Sequence, residues 1–183
     1  MIEDKERWNL RHQQRPLSNA TASILKNYLH LAKVGKALDI ACGTGRNTHY
    51  LDEMGFHVDA LDLSDYALSK LRVSENINPI EADLDVYNLE KNQYDLIINM
   101  NYLNRRHFPQ IKEALKSGGV LIFETFIVAH GNFENPSNPE YLLRKNELLH
   151  AFIGLDIVYY EERYDKNSRD EEVYIASLVA RKA

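Results

Sequence analysis

The sequence predicts an α/β fold built on a mainly parallel β-sheet with helices on both faces. Short apolar segments typical of strands alternate with amphipathic segments typical of helices, and a glycine-rich turn follows the first strand-like segment. This alternation implies β-α-β units, in which helices connect parallel strands. Near the end, two strand-like segments follow one another across DKNSRD, residues 165–170. They predict a closing hairpin and one antiparallel strand.

The predicted strands are short and mostly apolar or alternating. Pro79 lies in the third strand and removes a donor from the hydrogen-bond ladder, which places that strand at an edge of the sheet. The seven segments are residues 36–41, 56–62, 77–84, 94–100, 120–128, 155–164 and 171–182.

The predicted helices have apolar residues at helical spacing and recognisable ends. Gly55 ends the second helix, Ser64 is the expected N-cap of the third, and Gly118 and Gly119 are expected to stop the fourth. The five segments are residues 17–33, 46–55, 64–72, 105–119 and 144–154. We therefore expect one domain over residues 1–183, with residues 1–34 as a helical extension or lid. The long irregular loop over residues 130–143 is typical of a binding loop.

Composition narrows the possible functions. The chain has 183 residues, a net charge of −5 and one cysteine, Cys42. A domain that grips duplex nucleic acid is usually basic, so that class is disfavoured, and a single cysteine cannot form an intrachain disulfide. The charged N-terminus resembles no signal peptide, and no apolar run approaches a membrane span. We expect a cytoplasmic protein without a metal site, because the histidines show no metal-ligand spacing.

The turn after the first strand reads Asp39-x-Ala41-x-Gly43-x-Gly45. Arg46 and the residue after it do not supply the lysine and hydroxyl of a P-loop, and the third glycine of a dinucleotide fingerprint is missing. Glycines allow close backbone approach, and the following helix favours a carboxylate or a phosphate at its start. An acid here would repel a pyrophosphate but would bind an ammonium. A ligand with an amine, a carboxylate and a sulfonium suits this turn best.

Polar residues also follow the next three strands. Asp62 ends the second strand, where a carboxylate can accept both hydroxyls of a ribose. Asp83 ends the third strand, near the place of an adenine amino group. Residues 99–102 end the fourth. Because ligands bind at the carboxyl ends of strands in such sheets, we expect these side chains to form one site.

In these motifs the sequence resembles the class I S-adenosylmethionine-dependent methyltransferases, and within them the small tellurite-resistance-type methyltransferases. The matching segments are LDIACGTG, VDALDLS, EADL, YDLIINM and LKSGGVLIFETF, in the family's order. The resemblance implies a seven-stranded sheet of order 3-2-1-4-5-7-6 with strand seven antiparallel.

The resemblance also implies S-adenosylmethionine as the cofactor and S-adenosylhomocysteine as its product. It implies that the methionine moiety binds Asp39 and the turn of residues 41–45, including Cys42, which otherwise reads as a small packing residue. Asp62, followed by Leu63, is implied to hold the ribose, and Asp83 with the backbone of Leu84 to read the adenine. Ala41 stands where many members of the family have glycine.

Candidate acceptor-side residues follow strands four and five. Asn99, Tyr102 and Glu124 are the predicted catalytic residues, and Asn99 is also expected to contact the cofactor, although asparagines here also suit a turn. A carboxylate within the apolar run around Glu124 is costly unless it has a partner or lies at a pocket. His107 and His130 are possible bases, but a lone histidine is more often structural.

Other segments are candidates for closing the site. Trp8 could cover the cofactor, or its segment could be a solvated tail. Three residues are expected to line the acceptor pocket: Phe133, Tyr141 and Arg144. The pair Arg105 and Arg106 reads as a helix start rather than a phosphate site.

The sequence therefore predicts methyl transfer from S-adenosylmethionine to an acceptor, which we expect to be a small molecule. The segment NMNY lacks the prolines found at this place in nucleic-acid amino-methyltransferases, and the chain has no broad basic surface. Two alternatives remain at this stage: methylation of RNA or protein with a partner, and a non-catalytic module that binds the cofactor. We expect a monomer or homodimer.

Overall fold

A computed structural model describes residues 2–14, 20–128, 138–166 and 172–183. Its seven strands form one sheet in the order β3-β2-β1-β4-β5-β7-β6. Neighbouring strands are parallel from β3 to β5, whereas β7 runs antiparallel to both β5 and β6. The predicted fold class and strand order are therefore confirmed. The strands are β1 Lys36–Ile40, β2 His57–Asp62, β3 Ile77–Glu81, β4 Tyr94–Met100, β5 Leu115–Phe126, β6 Asp156–Lys166 and β7 Glu172–Arg181.

Helices cover both faces of this sheet. One core contains apolar side chains of α2 and α3, and the other contains those of α5 and α6. The short helix α4 packs near β2 and β3, and α1 contacts α4. The helices are α1 Ile2–Gln14, α2 Ser23–Tyr28, α3 Arg46–Glu53, α4 Asp65–Leu68, α5 His107–Ala114 and α6 Glu147–Phe152, with 3-10 turns at Leu29–Leu31 and Pro139–Tyr141.

Edge positions and helix caps follow the predictions at several points. Strand β3 with Pro79 lies at one edge of the sheet. The Ser64 side chain caps α4 by accepting a hydrogen bond from the Ala67 backbone N–H. Gly55 follows α3 with a left-handed φ of 85°, a conformation that glycine adopts without steric cost.

Several helices are shorter than predicted. The helix expected over residues 17–33 begins at Ser23, because Ala22 is extended and its N–H is bonded to the Asn47 side chain, while residues 15–19 lie outside the described part. The expected stop at Gly118 and Gly119 is wrong. Helix α5 ends at Ala114, and the next residues already belong to β5. Likewise α4 ends at Leu68 and α6 starts only at Glu147.

A buried carboxylate ties together the amino ends of four strands. The Asp59 carboxylate on β2 accepts hydrogen bonds from the Tyr94 hydroxyl (2.9 Å) on β4 and the Asn78 amide (2.9 Å) on β3. It also pairs with the Lys36 ammonium on β1 at 2.9 Å. Burial alone would raise the pKa of Asp59, but these three partners lower it below its usual range. This cluster fixes the sheet at the end opposite to the glycine-rich turn.

We expect Tyr94→Phe to lower the free energy of unfolding by about 1–3 kcal/mol, because it removes a buried hydrogen bond to a charged group. Urea denaturation at neutral pH measures this change. Tyr164→Phe is the matched control, since Tyr164 is largely exposed. Equal stability of Y94F and Y164F would contradict this role for the Asp59 cluster.

Candidate functional site

The turn after β1 depends on left-handed backbone at alternating positions. The φ angles are 55° at Ala41, 56° at Gly43 and 86° at Gly45. The turn closes through a hydrogen bond from the Gly45 N–H to the Cys42 carbonyl at 3.1 Å, and the Cys42 N–H is bonded to Leu61 of the neighbouring strand. The sequence of small residues thus folds into a tight turn that leads directly into α3.

The Asp62 carboxylate connects this turn to the end of β2. Its Oδ2 accepts the Gly43 N–H at 2.8 Å, and its Oδ1 accepts the Ser64 N–H at 2.9 Å. Leu63 between them is half-buried. Each carboxylate oxygen has a second lone pair, so Asp62 can still accept further hydrogen bonds.

Asp39 is a buried carboxylate at the end of β1, with 1% of its surface exposed. Burial raises the pKa of Asp39 to about 7. A hydrogen bond from the Thr48 hydroxyl at 2.7 Å and the charge of Arg46 oppose this rise. Cys42 lies close by, and burial with the charges of Asp39 and Asp62 raises the pKa of its thiol. The Cys42 thiol is therefore protonated, consistent with packing rather than nucleophilic chemistry.

Arg46, at the first position of α3, brings a positive charge to this region. Burial lowers the pKa of Arg46, and the charges of Asp39 and Glu124 oppose that shift. A guanidinium at the start of α3, acted on by the charges of Asp39 on β1 and Glu124 on β5, can bind a further anion there.

The end of β3 forms a compact loop that begins at Asp83. The Asp83 carboxylate accepts the Asp85 N–H at 3.0 Å, and the backbone carbonyl of Asp83 accepts the N–H groups of Val86 and Tyr87. Leu84 is buried, whereas Asp83 is half-buried. The Ala82 N–H is bonded to the Asp62 carbonyl at 3.0 Å, so this loop is attached to the end of β2.

Asn99 and Tyr102 shape the end of β4. The buried Asn99 amide donates to the Tyr102 carbonyl at 2.7 Å, and Asn101 between them is exposed with a φ of 58°. Burial raises the pKa of Tyr102 to about 12, and the charges of Asp83 and Asp62 add to the effect. The Tyr102 hydroxyl is therefore protonated at neutral pH.

Glu124 near the end of β5 has partners on both strands of the closing hairpin. Its Oε2 accepts hydrogen bonds from the Arg163 guanidinium (3.1 Å) on β6 and the Ser177 hydroxyl (2.6 Å) on β7. Arg163 also donates to Ser177 at 2.6 Å. Burial would lower the pKa of Arg163, but the charge of Glu124 raises it overall. Both bonds end on Oε2, so this oxygen of Glu124 is already occupied by partners within the protein.

Helix α1 lies across the ends of β2 and β3. Oδ1 of the Asn9 side chain accepts the Ser64 hydroxyl at 2.6 Å, and Nδ2 of the same side chain donates to Asp65 at 2.7 Å. Lys5 pairs with Glu81 at 2.6 Å and with Asp65 at 2.8 Å. The first turns of α1 are therefore attached to the edge of the candidate site.

The last turn of α1 brings His12 near Asp62. Burial lowers the pKa of His12, while the charge of Asp62 opposes this shift. Trp8, one turn earlier, is half-buried with its ring beside His12 and under the Arg11 guanidinium.

The remaining candidates are less closely associated with these groups. His107 is 1% exposed and lies beside the backbone of Leu84 and Tyr87, and burial lowers its pKa. Tyr141 and Arg144 are exposed. His130 and Phe133 lie outside the described residues.

In the structure, the predicted groups at the strand ends lie near enough for their charges to act on one another. The charge of Asp62 acts on Asp39, Cys42 and Tyr102, and Asp83 acts on Tyr102. Sequence reasoning missed three contributors: Arg46, Arg163 and His12. An arginine directly after the last glycine was a usable signal for Arg46, whereas the other two depend on long-range packing.

Two further observations concern the described ranges only. Within them no three histidine, cysteine or acidic side chains are grouped so that they could hold a metal ion. None of the helices found there is long and apolar enough to cross a membrane.

The chain is similar to a described family over most of its length. The family model for tellurite resistance protein TehB matches residues 6–173. A probable S-adenosyl-L-methionine-dependent methyltransferase TehB of Haemophilus influenzae is 27% identical over 164 residues, covering 80% of this chain and 57% of that protein. A malonyl-[acyl-carrier protein] O-methyltransferase of Paenibacillus is 33% identical over 122 residues, 58% of this chain and 44% of the relative. The chain thus spans only about half the length of these relatives.

Solved structures share the fold. The crystal structure of TehB from Haemophilus influenzae has a TM-score of 0.74 at 18% identity, covering 96% of this chain and 66% of that one. An S-adenosylmethionine-dependent methyltransferase from Mesorhizobium loti has a TM-score of 0.69 at 21% identity, with coverages of 88% and 98%. At these identities the likeness concerns the fold. The family match confirms the resemblance that the sequence motifs indicate.

Because both Gly45 and Ala41 have a left-handed backbone, adding a side-chain methyl at Gly45 and removing one at Ala41 should change the stability in opposite directions. Gly45→Ala should lower the free energy of unfolding by about 1–2 kcal/mol through backbone strain alone. In addition, the new Cβ would lie 2.2 Å from a methyl carbon of Leu71. The reverse change, Ala41→Gly, should be neutral or should stabilise by up to about 1 kcal/mol, because it relieves the same strain.

Thermal and urea unfolding of both variants measure these changes. A destabilising A41G together with a neutral G45A would contradict the turn geometry.

Proposed function

We propose that this chain, which belongs to the tellurite resistance protein TehB family, transfers a methyl group from S-adenosylmethionine to a small acceptor. The observation that best supports this function is the arrangement of four side chains near the ends of neighbouring strands, where their charges act on one another: Asp39, Asp62, Asp83 and Tyr102. Relatives named as S-adenosylmethionine-dependent methyltransferases support the cofactor.

The chemistry of the groups suits the parts of this cofactor. The buried carboxylate of Asp39 can bind the ammonium of the methionine moiety, and Arg46 with the start of α3 can bind its carboxylate. Asp62 has lone pairs left for the ribose hydroxyls, and Asp83 with the Leu84 backbone can bind the adenine. The small residues of the turn would let the backbone approach the ligand: Ala41, Cys42, Gly43 and Gly45. Leu63 would lie beside the ribose.

Helix α1 is proposed to cover the ribose side of the bound cofactor. Its contacts with Ser64 and Asp65 place it over the end of β2, and His12 is near Asp62. Trp8 lies on the same helix, one turn before His12. This arrangement supports α1, within the predicted extension of residues 1–34, acting as a lid rather than as a solvated tail.

The acceptor side favours positioning over proton abstraction. Methyl transfer from the sulfonium that S-adenosylmethionine supplies is an in-line substitution, which needs an aligned acceptor about 3–3.5 Å away. Tyr102 is protonated at neutral pH, so its hydroxyl is not a ready base, and Oε2 of Glu124 is already bonded to Arg163 and Ser177. Asn99, Tyr102 and Glu124 would therefore orient the acceptor. A soft or already anionic small molecule fits such a site, because it needs no base.

The alternatives are methylation of RNA or protein with a partner, and cofactor binding without catalysis. The net charge of −5 favours a small acceptor over nucleic acid. A cytoplasmic location and a monomeric or homodimeric state stay predictions.

The test of function uses purified protein, S-adenosylmethionine with a labelled methyl group and an extract of the source cells. We expect label to pass a size-cutoff filter in a compound other than the cofactor and its products. Label retained with macromolecules would replace the small acceptor by RNA or protein, which nuclease and protease distinguish. Absence of any transfer, with normal cofactor binding, would favour the non-catalytic alternative.

Asp62 variants test the binding site itself. Asp62→Ala should weaken S-adenosylhomocysteine binding by at least about tenfold in calorimetry, whereas the exposed Asp156→Ala should not. Asp62→Asn keeps one acceptor oxygen for a backbone N–H. Comparing it with Asp62→Ala therefore distinguishes a loss of ribose binding from a collapse of the turn. Unchanged affinity in folded D62A would contradict the cofactor site.

Asp39 predicts proton release on binding. With a pKa of about 7, most of its carboxyl is protonated at about pH 6.5, and a bound ammonium would favour the ionised form. Binding of S-adenosylhomocysteine at that pH should therefore release roughly half a proton or more. Calorimetry in buffers of different ionisation enthalpy measures this release. Asp39→Asn should abolish it, and equal release in both proteins would contradict the role of Asp39.

A further inference from the structure

Two adjacent arginines at the corner between β4 and α5 extend to different parts of the molecule. This β4–α5 corner comprises residues 104–107. Arg106 contacts the β3 loop, defined as residues 83–89, whereas Arg105 contacts the segment of residues 138–147. The corner itself is attached to the site, because Asn99 on β4 holds the Tyr102 carbonyl just before it.

Arg106 binds the far side of the β3 loop. Its Nη1 donates to the Tyr87 carbonyl at 2.6 Å, and its Nη2 donates to the Val86 carbonyl at 3.3 Å and to the Asn88 side chain. These acceptors lie three to five residues beyond Asp83. The donors of the guanidinium lie in one plane, and they hold three consecutive residues of the loop.

Neighbours of Arg106 hold the same loop at both of its ends. The Asn104 amide donates to Asp85 Oδ1 at 2.9 Å and to the Leu84 carbonyl at 3.4 Å. Gln110 on α5 accepts the Leu89 N–H at 2.9 Å. The loop therefore takes its shape from the β4–α5 corner as well as from Asp83.

Arg105 forms a separate set of contacts. Its Nε and Nη2 donate to the two carboxylate oxygens of Glu147, at 2.5 and 3.0 Å. Its Nη1 donates to the Glu140 carbonyl at 2.8 Å, and its Nη2 also donates to the Leu142 carbonyl at 2.9 Å. Glu147 accepts the Arg144 N–H at 2.8 Å, which ties the end of the segment to the same ion pair.

The segment held by Arg105 is continuous with the end of β5. The Leu143 N–H is bonded to the Phe126 carbonyl at 2.9 Å, and the Val128 N–H to the Leu143 carbonyl at 2.8 Å. Residues 138–147 thus border the strand that carries Glu124, on the acceptor side of the proposed active site.

We propose that Arg106 and Arg105 are positioning residues with separate tasks in the same reaction. Arg106 holds the β3 loop in the shape that reads the adenine ring, and Arg105 holds the 138–147 segment that borders the acceptor. This inference rests on the proposed function for the identity of the cofactor. The division of tasks between the two arginines is independent of which acceptor is methylated.

The experiment compares Arg105→Ala and Arg106→Ala in the full chain, each serving as the control for the other. Lys91→Ala controls for the loss of one positive charge, since Lys91 lies in an exposed pair with Glu113. Calorimetry with S-adenosylhomocysteine and with its hypoxanthine analogue measures affinity and adenine preference. Hydrogen exchange of the Val128, Leu143 and Arg144 amides measures the order of the 138–147 segment.

In R106A we expect the dissociation constant for S-adenosylhomocysteine to rise about fivefold or more, with a matching loss of preference over the hypoxanthine analogue. The exchange rates of the three amides should stay unchanged. In R105A those rates should rise about tenfold, while the dissociation constant stays within about twofold. Arg106→Lys keeps the charge without the planar fork, and it should lose adenine preference while remaining folded.

Equal effects of both variants on both measurements would overturn the division of tasks, as would wild-type behaviour of folded R106A. If the wild-type protein failed to bind S-adenosylhomocysteine, the proposed function would fail first, and the role of Arg106 in adenine reading would fail with it.

Discussion

The candidate site depends on one carboxylate that accepts two backbone N–H groups from different elements. Asp62 holds Gly43 of the turn after β1 and Ser64 at the start of α4. These two bonds add a side-chain link between the ends of β1 and β2 to the parallel ladder that already joins them. The loop after β3 is attached in turn through the Asp62 carbonyl. Three successive strand ends are thereby fixed relative to one another.

The electrostatic balance of this region favours a ligand that carries both charges. Three acidic side chains, Asp39, Asp62 and Asp83, lie at or just after the ends of β1, β2 and β3, and the charge of Arg46 acts on Asp39. A carboxylate as buried as Asp39 is costly to ionise without a cation in contact. The amino acid moiety of the proposed cofactor would supply an ammonium for Asp39 and an anion for Arg46.

Local features were predictable from the sequence, whereas contacts between distant segments were not. The glycines and Asp39 define a turn within a few residues, and Pro79 marks an edge strand, so both follow from local chemistry. The end of α5 at Ala114 was missed because pairing of Leu115 with β4 overrides two glycines that suit a helix stop. The partners of Glu124 depend on the register of β5 against β7, which sets Ser177 opposite it. No pattern within either strand specifies that register.

The attachment of α1 differs between its two ends. At its first turn Lys5 binds Glu81 and Asp65, whose side chains are about half exposed. At its last turn His12 is buried. Dissolved ions screen exposed charge pairs and leave buried contacts almost unaffected. Rising ionic strength therefore loosens the beginning of the helix before its end, so that α1 peels from Glu81 toward Asp62 instead of lifting as a rigid body.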